Sequence, residues 1–491
     1  MADRSPSIVV VGAGVAGLAA AKKLKEYGFN DVTMLEAAEN VGGRVATATL
    51  GNACVDTGAQ YIHGTSEKNP VFCLLKYLLN QLPEMGEEVF YNNKGHKVNA
   101  NFARRVYEDG ESFIQYRGTG NSGKSLGEHY AEKTRGVIDS LQEADEKAKM
   151  QSVFALVGKD MLIDIGASDL HRISLDSWQY YIDMGDSVNI AGFMYQLVDL
   201  LKEDFPKDRL LLKKEVRTIK WDGSFPSPRN EASSEGKVRQ YPVCIVCEDG
   251  EEILADHVIV TVSLGCLKAQ ASSLFTPSLP TEKIEVINKL CFGNIAKIFL
   301  EYEEAFWEND IGSISFIYED DTPASISTNK MQWLKSVQSF SVLSPKERFG
   351  NVLIGWCPGE IADLVETMTD NELSAAVTDH LKMFFGPSAN IPQPKSILCT
   401  KWRSNKFVKG SYSFLPVAVD GQVMDTLAQP LEGSQFPDAH LQVMFAGEAT
   451  MKTLYGTVQG ALLSGHREAD RLAAHYKERM ASTAASMDKH I

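Results

Sequence analysis

A strand, a glycine-rich turn and a helix at the start of the chain constrain its fold more than any other stretch. The run Ile8–Val11 has the β-branched composition of a strand that is buried on both faces. The motif GAGVAG follows directly, then an alanine-rich helix and a second strand that ends at Glu36. In such a unit Gly12 permits a tight turn, Gly14 admits a pyrophosphate to the helix N-terminus, and Gly17 lets helix and strand pack closely. The order of these parts predicts a dinucleotide site in which Glu36 binds a ribose.

A glycine pair and an arginine lie just beyond Glu36. Gly43 allows a second close approach of the backbone, and the guanidinium of Arg44 can bind a pyrophosphate. The alternative is a simple turn, which most glycine pairs form, but the position just after Glu36 favours a cofactor contact. Here the chain resembles the flavin amine oxidase family, in which such a motif follows the first fold unit. The resemblance implies that the dinucleotide is FAD.

Composition and charge narrow the classes of function. The formal net charge of the 491 residues is −15 at pH 7, so we expect no nucleic-acid partner. No apolar run approaches the ~18 residues of a membrane helix. The short apolar run near the N-terminus is already assigned to a strand, so we expect an intracellular soluble protein without a signal peptide. The CxxC at Cys244 and Cys247 has no second pair, and no metal site is expected. The final Lys489, His490 and Ile491 differ from a serine-lysine-leucine signal, which favours the cytoplasm over the peroxisome.

The resemblance to flavin amine oxidases extends over nearly the whole chain, in motifs that fall in the family order. It implies an α/β fold with two domains, in which a Rossmann-like FAD-binding domain is interleaved with an α+β substrate domain. We assign to the FAD-binding domain the segments 1–75, 207–285 and 432–478. The substrate-binding domain then comprises 76–206 and 286–431, and we expect a flexible tail over 479–491.

The stretch around Lys297 carries the clearest candidate for a catalytic side chain. Read as a strand, it places Lys297 on one face with Ile295 and Phe299. A lysine among apolar neighbours is costly unless it is paired or its pKa is lowered. The alternative is a lysine that extends from an edge strand to solvent. The resemblance implies the first interpretation, because family members have a lysine here that holds a water next to the flavin N5.

A second candidate catalytic residue, His63, lies in the run GAQYIHG. By resemblance this run passes beneath the flavin ring, with cofactor contacts at Gly58, Ala59 and Gln60. Tyr61 would contact the substrate. His63 matches a histidine of animal polyamine oxidases, where it would orient or deprotonate a substrate amine near neutral pH. The alternative is a hydrogen-bonded loop histidine.

The second half of the chain supplies the remaining site residues by resemblance. Tyr455 and Phe407 would form the aromatic walls that hold the amine against the flavin. Ser411 stands where monoamine oxidases carry the cysteine bonded to FAD, so we expect non-covalent FAD. No glutamate occurs where animal polyamine oxidases bind a distal amine, and Asp183 or Asp186 could supply that charge or form a solvated turn. The other residues expected to contact the cofactor are Val216, Trp402, Gly447, Glu448, Thr457 and Val458. Thr457 is also expected to contact the substrate.

The resemblance implies FAD-dependent oxidation of a secondary amine by hydride transfer to the flavin. Local matches, such as AQPL at 428–431, are most similar to N-acetylpolyamine oxidases. From N-acetylspermine or N-acetylspermidine the expected products are a shorter polyamine, an aminoaldehyde and hydrogen peroxide. The expected partners are the small-molecule polyamine and oxygen, and the expected assembly is a monomer or weak dimer. The alternatives are spermine oxidase activity on free spermine, a histone-lysine demethylase-like activity, and a catalytically silent flavin-binding scaffold.

Overall fold

The computed structural model describes residues 5–81, 86–114, 123–178, 180–227, 238–319, 330–434 and 440–487. The end of the expected tail, 488–491, and with it the C-terminal residues that were compared with a peroxisomal signal, lie outside the described residues. The described strands are, in chain order, β1 (Ile8–Val11), β2 (Val32–Leu35), β3 (Thr47–Leu50), β4 (Ala53–Asp56), β5 (Tyr61–His63), β6 (Glu87–Asn92), β7 (Lys97–Val98), β8 (Ser187–Asn189), β9 (Leu210–Leu211), β10 (Val216–Lys220), β11 (Phe225–Pro226), β12 (Gln240–Tyr241), β13 (Val243–Cys247), β14 (Glu252–Ala255), β15 (His257–Val260), β16 (Phe275–Thr276), β17 (Cys291–Phe292), β18 (Ile295–Tyr302), β19 (Ile311–Ile317), β20 (Ser339–Val342), β21 (Asn351–Pro358), β22 (Ser396–Cys399), β23 (Ser413–Phe414) and β24 (Val443–Phe445).

The described α-helices are α1 (Val15–Glu26), α2 (Pro70–Leu75), α3 (Ala100–Ile114), α4 (Leu126–Ser140), α5 (Ala144–Ile165), α6 (Leu175–Trp178), α7 (Tyr195–Lys202), α8 (Leu264–Leu274), α9 (Thr281–Lys289), α10 (Lys346–Phe349), α11 (Gly359–Val365), α12 (Asp370–Phe385), α13 (Val423–Ala428) and α14 (Val458–Met487). The sequence predicts that the last helix ends near Tyr476. The structure continues it to Met487, so that helix covers the first part of the segment expected as a flexible tail.

A five-stranded parallel sheet, in the order β24-β15-β1-β2-β9, forms the centre of the first domain. All four residues of β1 are buried, as expected for a β-branched strand with neighbours on both sides and cover on both faces. The chain passes from β1 to β2 through α1, which confirms the predicted strand-helix-strand unit. The glycine turn therefore lies at the carboxyl end of the central strand, where parallel sheets bind ligands.

Small residues allow α1 and α14 to pack closely. A Cβ atom added to Gly465 of α14 would lie only 2.2 Å from the carbonyl oxygen of Ala16 in α1. The first residues of the two helices, Val15 and Val458, border the same cavity. Two helix N-termini, each with a partial positive charge, thus face one binding space.

A seven-stranded sheet, in the order β22-β18-β21-β20-β19-β6-β7, forms the centre of the second domain. Its strands β6 and β7 precede the return of the chain to the parallel sheet at β9 and β15, and the other strands follow that return. The fold therefore has two interleaved domains, and the segment boundaries given above stay predictions. Because β18 pairs with β21 on one side and β22 on the other, Lys297 is not on an edge strand. The alternative of a lysine that reaches solvent from a sheet edge is wrong.

Within the described parts of the chain, no helix is both long and apolar enough to cross a bilayer. Cys244 and Cys247 both lie buried in β13 as free thiols. The described His, Cys, Asp and Glu side chains form no group of three that could hold a metal ion.

Candidate active site

A cavity of about 1530 Å³ is lined by residues of both sheets and by the N-termini of α1 and α14. Sites for drug-sized ligands span roughly 300–1,000 Å³, so this cavity has room for a dinucleotide and a second molecule. Gly17, Tyr455 and Asp183 are not among the described residues that line it. The predicted site residues that do line it are Gly12, Gly14, Glu36, Gly43, Arg44, Gly58, Ala59, Gln60, Tyr61, His63, Val216, Lys297, Trp402, Phe407, Gly447, Glu448, Thr457 and Val458.

The glycine turn after β1 has the geometry of an anion cradle. Gly12 has φ +103°, and a Cβ there would lie 2.6 Å from the Thr261 hydroxyl oxygen. A Cβ on Gly17 would lie 2.0 Å from the Gly12 carbonyl oxygen, so close packing of turn and helix requires both glycines. At Gly14 the nearest atom to an added Cβ is 4.0 Å away, and the space in front of the helix N-terminus is open. A pyrophosphate fits this space.

The second glycine segment lies directly against the first. The Gly42 amide donates a hydrogen bond to the Ala13 carbonyl oxygen over 2.8 Å. An added Cβ on Gly43, where φ is +59°, would meet the Cα atom of Gly14 at 3.3 Å. The two backbones thus form one continuous wall of the cavity, as a cofactor contact at Gly43 requires.

Glu36 is held in place by backbone amides at the end of β2. Its two carboxylate oxygens accept hydrogen bonds from the amides of Ala13 and Ala38, each over 2.8 Å. The side chain is 9% exposed and borders the cavity. Because each carboxylate oxygen can accept more than one hydrogen bond, this oriented acid can also bind the hydroxyls of a ribose.

Arg44 and Glu448, predicted separately as cofactor contacts, form an ion pair across the cavity wall. Arg44 Nη1 lies 2.7 Å from Glu448 Oε1 and also donates to the Ser411 carbonyl oxygen over 2.7 Å. The other Glu448 oxygen accepts from the Ser413 hydroxyl at 2.5 Å and from the Gly456 amide at 2.8 Å. Glu448 is 4% exposed, so this network fixes both side chains. The remaining guanidinium donors of Arg44 suit the phosphates of a dinucleotide.

Lys297 of β18 borders the cavity, and its side chain reaches the end of β4 and the residues that follow it. Its Nζ atom donates to the carbonyl oxygens of Asp56 and Gly58, at 2.9 and 2.6 Å, and to Gln60 Oε1 at 2.5 Å. Burial lowers the pKa of the Lys297 amine, and the carboxylate of Asp56 opposes this shift. Burial also raises the pKa of Asp56. The lysine is therefore bound by three oxygen atoms rather than by apolar neighbours alone.

His63 faces the cavity from the end of β5, which pairs with β8. Its Nδ1 atom lies 3.2 Å from Ser187 Oγ, and its ring stacks on Tyr61 with centroids 6.2 Å apart. The exposed part of the His63 ring faces the cavity, which lies inside the protein. Burial of this site lowers the pKa of His63. The lowered pKa favours the neutral imidazole, which can accept a proton.

The two aromatic residues predicted to hold the amine against the flavin differ in their position relative to the cavity. Phe407 borders the cavity, whereas Tyr455 is buried and packs edge-on against Tyr181 with centroids 5.9 Å apart. Tyr412 borders the cavity instead, and its hydroxyl donates to the Ile163 carbonyl oxygen over 2.6 Å. Sequence reasoning missed Tyr412, although an aromatic residue directly after Ser411 was a usable signal.

The acidic residues that line the cavity differ from those considered in the sequence for binding a distal amine. Asp183 accepts the Gly185 amide over 2.9 Å in a turn, and neither it nor Asp186 is among the described lining residues. Asp160 and Asp164 of α5 line the cavity. Sequence reasoning missed them, although two acids four residues apart in the apolar run VFALVGKDMLIDI were a usable signal.

Comparison with known proteins agrees with this geometry. The profile of the family described as "flavin containing amine oxidoreductase" matches residues 15–473. The chain is 37% and 35% identical to proteins of Bos taurus and Homo sapiens that are each named peroxisomal N(1)-acetyl-spermine/spermidine oxidase, with 96% of this chain and 95% of each relative covered. A cyclohexylamine oxidase from Brevibacterium oxydans has the same fold, with a TM-score of 0.65, 20% identity, and coverage of 96% of this chain and 100% of that one. The chain belongs to the flavin-containing amine oxidoreductase family.

Proposed function

We propose that this protein oxidises the secondary amine of N-acetylated polyamines, with FAD as cofactor and oxygen as electron acceptor. The observation that carries the proposal is that one cavity joins the glycine cradle to Lys297 and to the aromatic residues Phe407 and Tyr412. The printed names of the two mammalian relatives support the acetylated substrate. The overall reaction converts the amine, water and oxygen into a shorter polyamine, an aminoaldehyde and hydrogen peroxide.

The residues present fit FAD. The glycine turn and the N-terminus of α1 would hold the pyrophosphate, and Glu36 would hold the adenosine ribose. Val216 would contact the adenine from β10, and the N-terminus of α14 would face the isoalloxazine. When bound, the flavin supplies a two-electron hydride acceptor that oxygen can reoxidise. The positive end of α14 favours the negative charge of a reduced flavin.

The protein side chains would control protons and water around the amine. A secondary amine must be neutral to release a hydride from its neighbouring carbon, and a desolvated aromatic site favours the neutral form. His63, which borders the cavity, would accept a proton from an incoming ammonium group. Lys297 Nζ donates to three protein oxygens, and because burial lowers its pKa to about 7, this amine would exchange a proton near neutral pH.

We expect non-covalent attachment of FAD at Ser411. Its hydroxyl oxygen accepts the Ile295 amide over 2.9 Å, and a serine offers no thiol for a thioether bond. Precipitation of the holoprotein with acid should therefore release the flavin into the supernatant, and a pellet that retains it would contradict non-covalent binding.

Peroxide release by the purified holoprotein tests the proposal, with N1-acetylspermine compared with free spermine at equal concentrations. Faster turnover of the acetylated amine is the expected result. Preference for free spermine would replace the acetylated substrate by the free polyamine. No peroxide from either amine, while FAD stays bound, would refute polyamine oxidation.

The assembly as a monomer or weak dimer and the location in the cytoplasm stay predictions. The mammalian relatives carry names that place them in the peroxisome, and imaging of the tagged full chain in cells tests the compartment. Sedimentation of the holoprotein at several concentrations tests the assembly.

A further inference from the structure

A buried carboxylate lies next to Lys297 and has no role in the proposed function. Asp56 is the last residue of β4, and its side chain is not among the described groups that line the cavity. Its backbone carbonyl oxygen is one of the three oxygens that bind Lys297 Nζ, at 2.9 Å. The buried acid is therefore close to an amine that does border the cavity.

The Asp56 carboxylate is held in place but is not fully hydrogen-bonded. Its Oδ2 atom accepts the amide of Gly192, in the segment between β8 and α7. Its Oδ1 atom is buried and accepts no hydrogen bond from the described residues. Burial of a charged group with an unsatisfied oxygen is costly. An asparagine could also accept the Gly192 amide, so anchoring of the backbone does not by itself account for a carboxylate at this position.

The cations around Asp56 account for its charge. Lys297 and Arg348 of α10 both favour the ionised form of the carboxyl. The guanidinium of Arg348 donates to the carbonyl oxygen of Gly192, the residue whose amide binds Asp56. Burial raises the pKa of Asp56 and lowers that of Lys297, and the attraction between the two groups opposes both shifts. Each of these two groups thus favours the charged form of the other.

The Asp56 side chain acts on the Lys297 amine through its charge rather than through a hydrogen bond. An ammonium group has three donor hydrogens. Those of Lys297 bind the carbonyl oxygens of Asp56 and Gly58 and the Oε1 atom of Gln60. These three oxygens, all from the segment 56–60, are referred to below as the oxygen cradle. The carboxylate fixes one end of the oxygen cradle through Gly192 and adds a negative charge beside it.

The other described neighbours of Lys297 contribute little charge. Its partner on β21 is Trp356, and the hydroxyl oxygen of Thr400 accepts its backbone amide over 2.8 Å. The titratable side chains of the following strand β5 are Tyr61 and His63. Burial raises the pKa of Tyr61 and lowers that of His63, so that both favour the neutral form. The electrostatic effect that opposes burial at the Lys297 amine comes from Asp56.

We propose that Asp56 is a positioning residue for Lys297, whose carboxylate fixes the oxygen cradle and keeps a proton on the lysine amine. This inference rests on the proposed function and deepens it. Hydrogen peroxide is oxygen plus one hydride and one proton. The hydride comes from the substrate carbon by way of the cofactor, and the ammonium of Lys297 would supply the proton. The proton that the substrate ammonium loses before oxidation would then restore the charged lysine.

Reoxidation of the holoprotein tests the inference without an amine substrate. The bound flavin is reduced anaerobically with a stoichiometric amount of dithionite, and its reaction with oxygen is followed at a series of pH values. The rate constant should show a transition near neutral pH that Lys297→Met removes. In Asp56→Asn this transition should move to lower pH by at least about one unit, equal to ~1.36 kcal/mol, because the amine then loses its proton more easily. Asp56→Glu, which keeps the charge, should return the transition toward the wild-type pH.

A second buried acid provides the matched control. Glu366 accepts the backbone amides of Arg403 and Ser404, at 2.8 and 3.0 Å, and is not among the described lining residues of the cavity. Glu366→Gln also removes a buried carboxylate that anchors backbone, so it should leave the transition at the wild-type pH. A shift as large as that of Asp56→Asn would show that any loss of a buried acid has this effect and would overturn the proposal.

Melting temperatures of the holoprotein give a readout that does not depend on reactivity. Asp56→Asn should lower the melting temperature of the wild type, because Lys297 loses the charge that opposes its burial. The same substitution in Lys297→Met should lower it less or raise it, because it then removes a buried carboxylate that has lost its cation. A purely structural role of Asp56 predicts equal losses in the two proteins, and equal losses would overturn the proposal.

The outcomes separate this inference from the proposed function. If no polyamine yields peroxide, the proposed function fails, and dithionite reoxidation and the melting temperatures still decide the inference. If polyamines are oxidised and the transition is absent from the wild type or unmoved in Asp56→Asn, the inference fails alone. Arg348→Met removes a cation that favours the Asp56 carboxylate and should shift the transition in the same direction. If Asp56→Asn does not fold, an unshifted transition in Arg348→Met would overturn the proposal.

Discussion

Replacement of Lys297 by methionine tests whether the buried amine acts in turnover or only supports the fold. The variant loses three hydrogen bonds from Nζ, to two carbonyl oxygens and to Gln60 Oε1. Each buried acceptor left without its donor costs about 1–3 kcal/mol. Removal of a buried ammonium also recovers several kcal/mol of desolvation, and methionine fills most of the space. These opposing terms leave a net loss of at most a few kcal/mol in the free energy of unfolding, so the fold and bound FAD should persist.

The kinetic effect should be much larger than the structural one. A positioned acid or base contributes about 10²–10⁴-fold to a rate, which corresponds to about 2.7–5.4 kcal/mol at 1.36 kcal/mol for each factor of ten. Peroxide release by Lys297→Met should therefore fall by at least about a hundredfold. Anaerobic stopped-flow reduction of the flavin by the amine, followed separately by reoxidation with oxygen, will show which half-reaction slows.

A second buried lysine provides the matched control. Lys283 is 3% exposed, and its Nζ donates to the carbonyl oxygens of Thr426, Leu427 and Gln429 at 2.8 Å each. Burial lowers the pKa of Lys283 to about 7, and this lysine is not among the described lining residues of the cavity. Lys283→Met should reduce stability by a similar amount and keep kcat. Equal losses of kcat in the two variants, or loss of flavin from Lys297→Met in a folded protein, would refute the reasoning.

Three further predictions concern the cofactor cradle and the core. Gly14→Ala should fold and bind FAD at least about tenfold more weakly, because its Cβ enters the open space before the helix. Gly17→Ala should not fold, because its Cβ meets a carbonyl oxygen at 2.0 Å. Circular dichroism measures folding and flavin fluorescence measures cofactor binding, and equal stability of the two variants would contradict the prediction. Arg44→Met should lower the free energy of unfolding by up to about 3–5 kcal/mol in urea titrations, because its carboxylate partner is 4% exposed, and an unchanged value speaks against the ion pair. Burial lowers the pKa of His380 to about 3, so the folded state binds fewer protons than the unfolded state between pH 3 and 6.5. The free energy of unfolding contributed by His380 is therefore fully present above pH 6.5 and falls with decreasing pH by at most ~1.4 kcal/mol per pH unit. His380→Phe should reduce this slope, and an identical slope in both proteins would rule His380 out.

The dinucleotide unit could be predicted from the sequence because its rules are local. The strand Ile8–Val11, the glycine turn and Glu36 occupy neighbouring positions in the chain, and each has a steric or hydrogen-bonding requirement that a single residue type meets. The strand around Lys297 was predictable for a related reason, since alternation along the strand assigns faces. In each case the chemistry depends on residues that are close in sequence.

Other parts of the site depend on contacts that the sequence pattern does not contain. Arg44 and Glu448 are 404 positions apart, and their ion pair exists because β24 and the glycine segments meet at one end of the parallel sheet. The choice of Tyr412 rather than Tyr455 as a cavity wall depends on how the chain after Ser411 packs against α5. The ion pair has no periodicity or spacing from which it could be predicted, and the position of Tyr412 after Ser411 does not by itself show that its ring borders the cavity.

Asp160 and Asp164 show why the sequence of α5 does not identify every residue of the site. The sequence alone does not say which face of the helix is covered. In the structure both acids border the cavity. Burial raises the pKa of both carboxyls, and the neighbouring acids Asp160 and Glu111 raise that of Asp164 further, to about 8. Asp164 is therefore mostly protonated at neutral pH, a property that depends on burial in the folded chain and not on the spacing of the two acids.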